Sequence, residues 1–216
     1  MSDSAEMGLR ALKKQMTHEA IAEAALKLTL EKGLDHVTID EIAKQAFVSP
    51  RTFSNYFSCK EEAVVAADDH YTDEVVADLA RRPADEPPLD SLRHVLVDLA
   101  RSQSRQQLRA YVERVQLEDQ YPTLRPFRMA QYEQLEEALR GAIAERTGTN
   151  VASDLYPWLA AAAAVNIIKT TTRLWGRPTA ARVRLIEKIE GAFDQIAAGL
   201  PAPTSGTEAP ASKALK

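Results

Sequence analysis

The stretch VTIDEIAKQAFVSPRTFSNYFSCKEEA, Val37 to Ala63, holds two short helical patterns with almost nothing between them. Thr38 opens the first, and Glu41, three residues on, completes the reciprocal pairing that caps a helix N-terminus. Ile39, Ile42, Ala43 and Ala46 share its inner face, and Phe47 and Val48 form the turn. Ser49 caps the second helix, with Pro50 at the position where a missing N–H costs nothing. Helices this short are not stable alone, so packing must hold them, and the face they leave outside is the informative one. At about 100° per residue, Phe53 and Phe57 fall together and point inward. Arg51 and Asn55 share the opposite face, flanked by Thr52 and Ser54, with Tyr56 on the border. An arginine fork matches guanine and a side-chain amide matches adenine in a major groove. Thr38 and Lys60 bracket the unit and are placed for phosphates, Thr38 at a helix N-terminus whose dipole favours an anion. The candidate DNA-binding set is Thr38, Ser49, Arg51, Thr52, Ser54, Asn55, Tyr56 and Lys60. The ordinary solvated face of a three-helix bundle carries the same residue types, so that reading stays open at this point.

Outward from this stretch the chain reads as helix nearly throughout, with apolar residues recurring at three and four and no alternating runs. Thr17 is expected to cap a first helix, carrying Ile21, Ala25 and Leu28 on one face and ending at Gly33. A fourth helix is expected over 60–81. Longer ones follow at about 89–102, 105–120, 123–147, 151–174 and 179–198, punctuated by Pro122, Gly148 and the stretch from Gly176 to Pro178. The change from short to long elements predicts an all-α chain of two units. The division is 1–14 as a flexible basic segment, 15–62 as a helix-turn-helix domain and 63–200 as an effector-binding and dimerisation domain. Residues 201–216 form a disordered tail rich in Pro, Ala, Ser and Thr.

A net charge of −4 excludes a polybasic protein that binds nucleic acid indiscriminately, though not a reader with one suitable face. One cysteine, Cys59, excludes an internal disulfide and fits a reducing cytoplasm. No secretory signal is expected at the start. The longest apolar run, WLAAAAAVNII, is too short for a bilayer span, so no membrane partner is expected. His18, His36, His70 and His94 stand apart without metal-ligand spacing, and no P-loop or nucleophile elbow is present. No cofactor, metal or catalytic residue is expected.

The segment TIDEIAKQAFVSPRTFSNYFSCKEEAV, preceded by THEAIAEAALKLTLEKGLDHV, resembles the N-terminal DNA-binding domain of TetR-family transcriptional regulators over about residues 15–65. The resemblance implies phosphate contacts at Thr38 and Lys60, base contacts from Arg51, Thr52 and Asn55, and a phosphate contact at Tyr56. It implies a homodimer on a near-palindromic double-stranded DNA operator, with repression as the default. Three positions depart from the family's pattern. Phe47 stands where the turn usually has glycine, Ser54 replaces a common tyrosine, and Tyr56 takes an aromatic-or-histidine position.

The long helices then have two tasks. YPWLAAAAAVNIIKTTTRLW is apolar almost all round, and Ile186, Ile189, Phe193 and Ile196 form a stripe. TetR-like proteins dimerise through such a final pair, whereas an intramolecular core is the blander reading. An effector is expected where polar residues interrupt apolar helices: Tyr111, Arg114, Tyr132, Trp158, Asn166 and Trp175, with Lys169 nearby. Asn166 is singled out as a buried amide. Arg105, Arg109 and Arg114 would suit an acidic effector, and similar regulators imply an acyl-coenzyme A or another apolar or acidic compound. The alternatives are a small-molecule adaptor with a vestigial DNA-binding head and an all-helical enzyme.

Overall fold

The computed structural model describes residues 2–67, 70–175 and 181–202, and all regular structure among them is helical. A long first helix, α1 (Ser2–Lys32), is followed by three short ones, α2 (Ile39–Gln45), α3 (Pro50–Ser54) and α4 (Lys60–Ala66). The longer ones are α5 (His70–Arg81), α6 (Pro88–Ser102), α7 (Arg105–Gln120), α8 (Arg125–Thr147), α9 (Leu155–Trp175) and α10 (Ala181–Ala197). Single 3-10 turns at Leu34–His36 and Pro122–Leu124 link α1 to α2 and α7 to α8.

Two cores result. One gathers Val75, Leu92, Leu139, Ile143, Val165 and Phe193 from the long helices. The other gathers Ile21, Ala25, Leu34, Ile42, Phe53 and Phe57, and is completed by Leu117 of α7 and Leu124 of the 3-10 turn before α8. The helix-turn-helix head therefore shares its core with the long-helix unit. Gly33 belongs to the same junction. Its φ of 83° is left-handed, and a Cβ there would lie 2.7 Å from the Tyr121 hydroxyl, so only glycine fits.

The structure differs from the sequence expectations in three places. Thr17 caps nothing: α1 runs through it, and its hydroxyl donates to the Lys13 carbonyl at 2.9 Å. The residues before it, rich in Ala, Leu, Glu, Lys and Met, are good helix formers, and the described backbone is helical from Ser2. The helix expected over 60–81 is divided into α4 and α5. The helix expected from 151 starts at Leu155, because Asn150 and Asp154 tie a turn: the Asn150 N–H donates to Asp154 Oδ2 at 2.7 Å. The tail from 203 onward lies outside the described residues.

The turn between α2 and α3 is built on Phe47. Its N–H donates to the Lys44 carbonyl at 3.2 Å, and that of Val48 to the Ala43 carbonyl at 2.9 Å. This is the paired closure that ends a helix with a left-handed residue. Phe47 takes it with φ 56°, a conformation that costs a side chain with a Cβ roughly 1–2 kcal/mol. Its ring is 97% exposed, so no internal packing offsets that cost. Phe47→Gly is expected to raise the melting temperature by about 2–4 °C in a chain of this size. Calorimetry of the two proteins checks this, and a lower melting point in the variant would refute the strain.

Candidate DNA interface and effector cavity

The candidate recognition element is α3. Ser49 caps it, its hydroxyl accepting from the Thr52 N–H at 3.0 Å and bonding the Thr52 hydroxyl at 2.8 Å. Ser54 turns its hydroxyl back onto the Pro50 carbonyl at 3.2 Å. Phe53 and Phe57 are buried with their rings 5.8 Å apart, and the His18 ring of α1 lies 4.6 Å from that of Phe57. With this back face fixed, Ser49, Arg51, Ser54 and Asn55 are exposed, while Thr52 and Tyr56 are half-buried at its edges. Thr38 caps α2 as the sequence implies: its hydroxyl accepts from the Glu41 N–H at 3.3 Å, and its own N–H donates to Glu41 Oε2 at 3.0 Å. Lys60 stands apart from this group. Its ammonium is half-buried and donates to the Leu34 carbonyl at 2.7 Å and the Val37 carbonyl at 3.0 Å. The two carbonyls lie at the start of the 3-10 turn Leu34–His36 and just after it, and with two N–H groups spent on them a phosphate contact has only the remaining N–H to use.

Between α5, α6, α7, α8, α9 and α10 lies a partly open cavity of about 160 Å³. Val75, Leu96, Leu135, Ile168 and Ile189 supply apolar wall. One corner is polar. Arg128 donates from Nε to Glu118 at 2.6 Å and from Nη1 to Gln131 Oε1, and Gln131 Nε2 donates to the Val65 carbonyl at 3.3 Å. Glu118, Arg128 and Gln131 all line the cavity, as do Tyr71, Gln103 and Gln107.

Among the described effector candidates, only Tyr132 reaches this cavity, with the Lys169 ammonium 5.6 Å from the centre of its ring. Arg114 lies on the far side of Glu118 and Arg128, in a minor recess. Trp158 is outside: its indole N–H donates to the Val151 carbonyl at 2.7 Å, and the Arg140 guanidinium lies 3.7 Å from the ring centroid. Asn166 is not the buried amide expected. It is exposed and donates to the Ala162 carbonyl at 2.9 Å, because α9 buries Ala161, Ala164, Val165 and Ile167 and turns Asn166 away. The side chains of Tyr111 and Trp175, and of Arg105 and Arg109, lie outside the described residues. The polar corner was missed because Glu118, Arg128 and Gln131 sit in polar surroundings in sequence, where nothing separates a wall residue from a solvated one.

These two features have known counterparts. Residues 21–67 match the family described as bacterial regulatory proteins, tetR family, and residues 86–201, more than half of the chain, match the MftR C-terminal domain of TetR regulators. The chain belongs to the TetR family. It is 27% identical over 173 residues to the HTH-type transcriptional regulator TcmR of Streptomyces glaucescens, covering 78% of this chain and 76% of that one. A TetR regulator from Rhodococcus sp. RHA1 superposes with a TM-score of 0.58 at 20% identity, covering 88% of this chain and all (100%) of that one. Thermus thermophilus FadR, solved with lauroyl-CoA, gives 0.54 at 23% identity, covering 90% of this chain and 98% of that one. At these identities the two structures show the shared fold. TetR-family members are DNA-binding transcriptional regulators, typically ligand-responsive and dimeric. In this TetR-family chain, α2 and α3 are thus the DNA-binding helix pair.

The capping box of α2 carries a pH signature. Lys32 bonds Glu41 Oε1, and the Thr38 hydroxyl and N–H bond Oε2, which lowers the Glu41 carboxyl from its ordinary 4.5 to about 2. A depressed carboxylate stabilises the fold above its unfolded pKa, and that share is lost as pH falls toward the folded value. Glu41→Gln is therefore expected to melt lower than the parent at pH 6, with the gap closing between about pH 4.5 and 2. Melting curves of both proteins across that range check it, and a gap independent of pH would refute the assignment.

Proposed function

We propose that the protein is a cytoplasmic homodimeric repressor that grips a near-palindromic operator with α3 of each subunit and releases it when a small molecule enters the cavity. One observation carries the reading of DNA: Arg51 and Asn55 are exposed on a helix whose opposite side is fixed by the buried rings of Phe53 and Phe57. Their donors and acceptors are thereby pre-positioned for base edges. Ser49, Thr52, Ser54 and Tyr56 flank them, and Thr38 presents the N-terminus of α2 to a phosphate.

The dimer reading rests on α9. One side of it is core, while Leu155, Tyr156, Leu159, Asn166 and Leu174 are exposed along another, Leu159 at 59%. These positions recur at helical spacing, and the small Ala162 and Ala163 between them permit close approach of a second helix. Two half-sites one helical turn apart call for a twofold pairing that sets the recognition helices ~34–36 Å apart, and the face of α9, with α10 beside it, is the one we assign to that pairing.

The cavity's size bears on the effector. About 160 Å³ is close to the roughly 150 Å³ that holds a benzene ring in a dry engineered core, and is below the ~300–1,000 Å³ of drug-sized sites. It suits a ring-sized or short apolar group bearing one polar end. An acyl-coenzyme A would place only part of its acyl chain here, and an acid would compete with Glu118 for Arg128. The effector shifts DNA affinity by as much as its own affinity differs between the two arrangements of the dimer. Nothing in this mechanism calls for turnover.

Selection of bound duplexes from a random library, at a stated salt concentration, is expected to enrich a near-palindrome. Arg51→Ala is expected to lose about 1–3 kcal/mol on that site and to relax one base position in each half. Enrichment of no sequence by the folded, ligand-free protein, or an unchanged preference in the variant, would overturn the reading.

A further inference from the structure

The helix between the reading head and the cavity is pinned at both ends. α4 has seven residues, about 10 Å of helix at 1.5 Å per residue. At its start, Lys60 donates to the Leu34 and Val37 carbonyls, immediately before the Thr38 cap of α2. Along its length Ala63 and Val64 sit in the head's core. At its end, the Val65 carbonyl belongs to the last turn and accepts from the Ala67 N–H. The Gln131 amide of α8 donates to it at 3.3 Å. The same Gln131 lines the cavity, and its Oε1 accepts from Arg128, itself held by Glu118.

We propose that Gln131 is the latch between the cavity and α4, and that the effector works it with a hydrogen-bond-accepting oxygen. This rests on the reading that the cavity is the effector site. An acceptor at the polar corner competes with the Val65 carbonyl for the Gln131 N–H groups and with Glu118 for the Arg128 fork. Once Gln131 turns to the ligand, the end of α4 loses its tie to α8. α4 then shifts, and Lys60 carries the shift to the carbonyls in front of α2. A ligand of the same size without an acceptor fills the apolar part and leaves the latch closed. Occupancy and release are therefore separate events, and the chemical class of the inducer is a ring-sized apolar body bearing a carbonyl, carboxylate or hydroxyl oxygen.

The test uses the full chain, its selected operator, and two probes of nearly equal shape, acetophenone and ethylbenzene. Binding of each probe is measured by calorimetry, and operator affinity by fluorescence anisotropy with and without saturating probe. Both probes are expected to bind, and only acetophenone to weaken operator binding. Gln131→Met is expected to bind acetophenone more weakly than the parent, since it lacks the N–H that meets the ligand oxygen, to bind the operator about fivefold more weakly without any probe, as one lost hydrogen bond implies, and to show no further loss at saturating acetophenone. Gln131→Glu keeps an acceptor for Arg128 and lacks the donor for Val65, so it is expected to behave the same way if the methionine variant folds poorly. Undiminished release by acetophenone in both variants, or equal release by ethylbenzene in the parent, overturns the latch and leaves the cavity reading standing. Failure of both probes to bind the parent, or binding that survives Leu99→Trp in the cavity wall, overturns the cavity reading and the latch with it.

Discussion

A five-residue helix has no stability of its own, and α3 is that short. Everything the head presents to DNA therefore depends on the Phe53–Phe57 pair, which nails one side of α3 into a core built by α1, α2 and α4. The polar side is then fixed as a consequence, because Arg51 and Asn55, each two positions from the buried Phe53 ring, fall on the opposite side. The same economy explains the caps. Ser49 and Thr38 each satisfy the first N–H groups of a helix with few internal bonds, so the ends are defined by side chains where length cannot define them.

This core also explains why α4 is an effective lever. Its residues belong to the head, yet the carbonyl of its penultimate residue, Val65, is held by a glutamine from the long-helix unit. Movement at the cavity end cannot be absorbed within α4 itself, since seven residues of closely packed helix are stiff on the scale of the displacement required. α9 shows a related division of labour, with one side in the core and another bearing apolar residues in the open. α9 also lines the cavity through Ile168, Thr171 and Thr172, so in the proposed dimer the helix that meets the ligand is the one that meets a second subunit.

The legible part of the sequence was the local part. The capping box at Thr38 and Glu41, the Ser49–Pro50 start and the inward pairing of Phe53 and Phe57 are determined by residues within a few positions of each other, and each appears in the structure. The cavity was mostly illegible, because packing assembles it from six helices and its polar corner joins positions 65, 118, 128 and 131. Asn166 was misplaced because α9 is apolar on more than one side, and periodicity alone does not say which side is core. The sequence places Lys60 for a phosphate, and it carries no local sign of the two carbonyls that also hold the ammonium, because they come from 23 and 26 residues away. Phe47 was seen as unusual in sequence, and the left-handed turn gives the reason.

The shared core of the head has a consequence for inheritance. With Leu117 and Leu124 inside it, and Tyr121 closing on Gly33, the head is not a cassette that can be cut out and joined to another sensor. A chimera spliced after α4 would leave a hole where those side chains belong. Domain shuffling would then succeed only between parents whose α7–α8 connection matches the incoming head. The operator and the effector of such a lineage would therefore diversify by substitution within one scaffold, with the junction acting as the part that cannot drift alone.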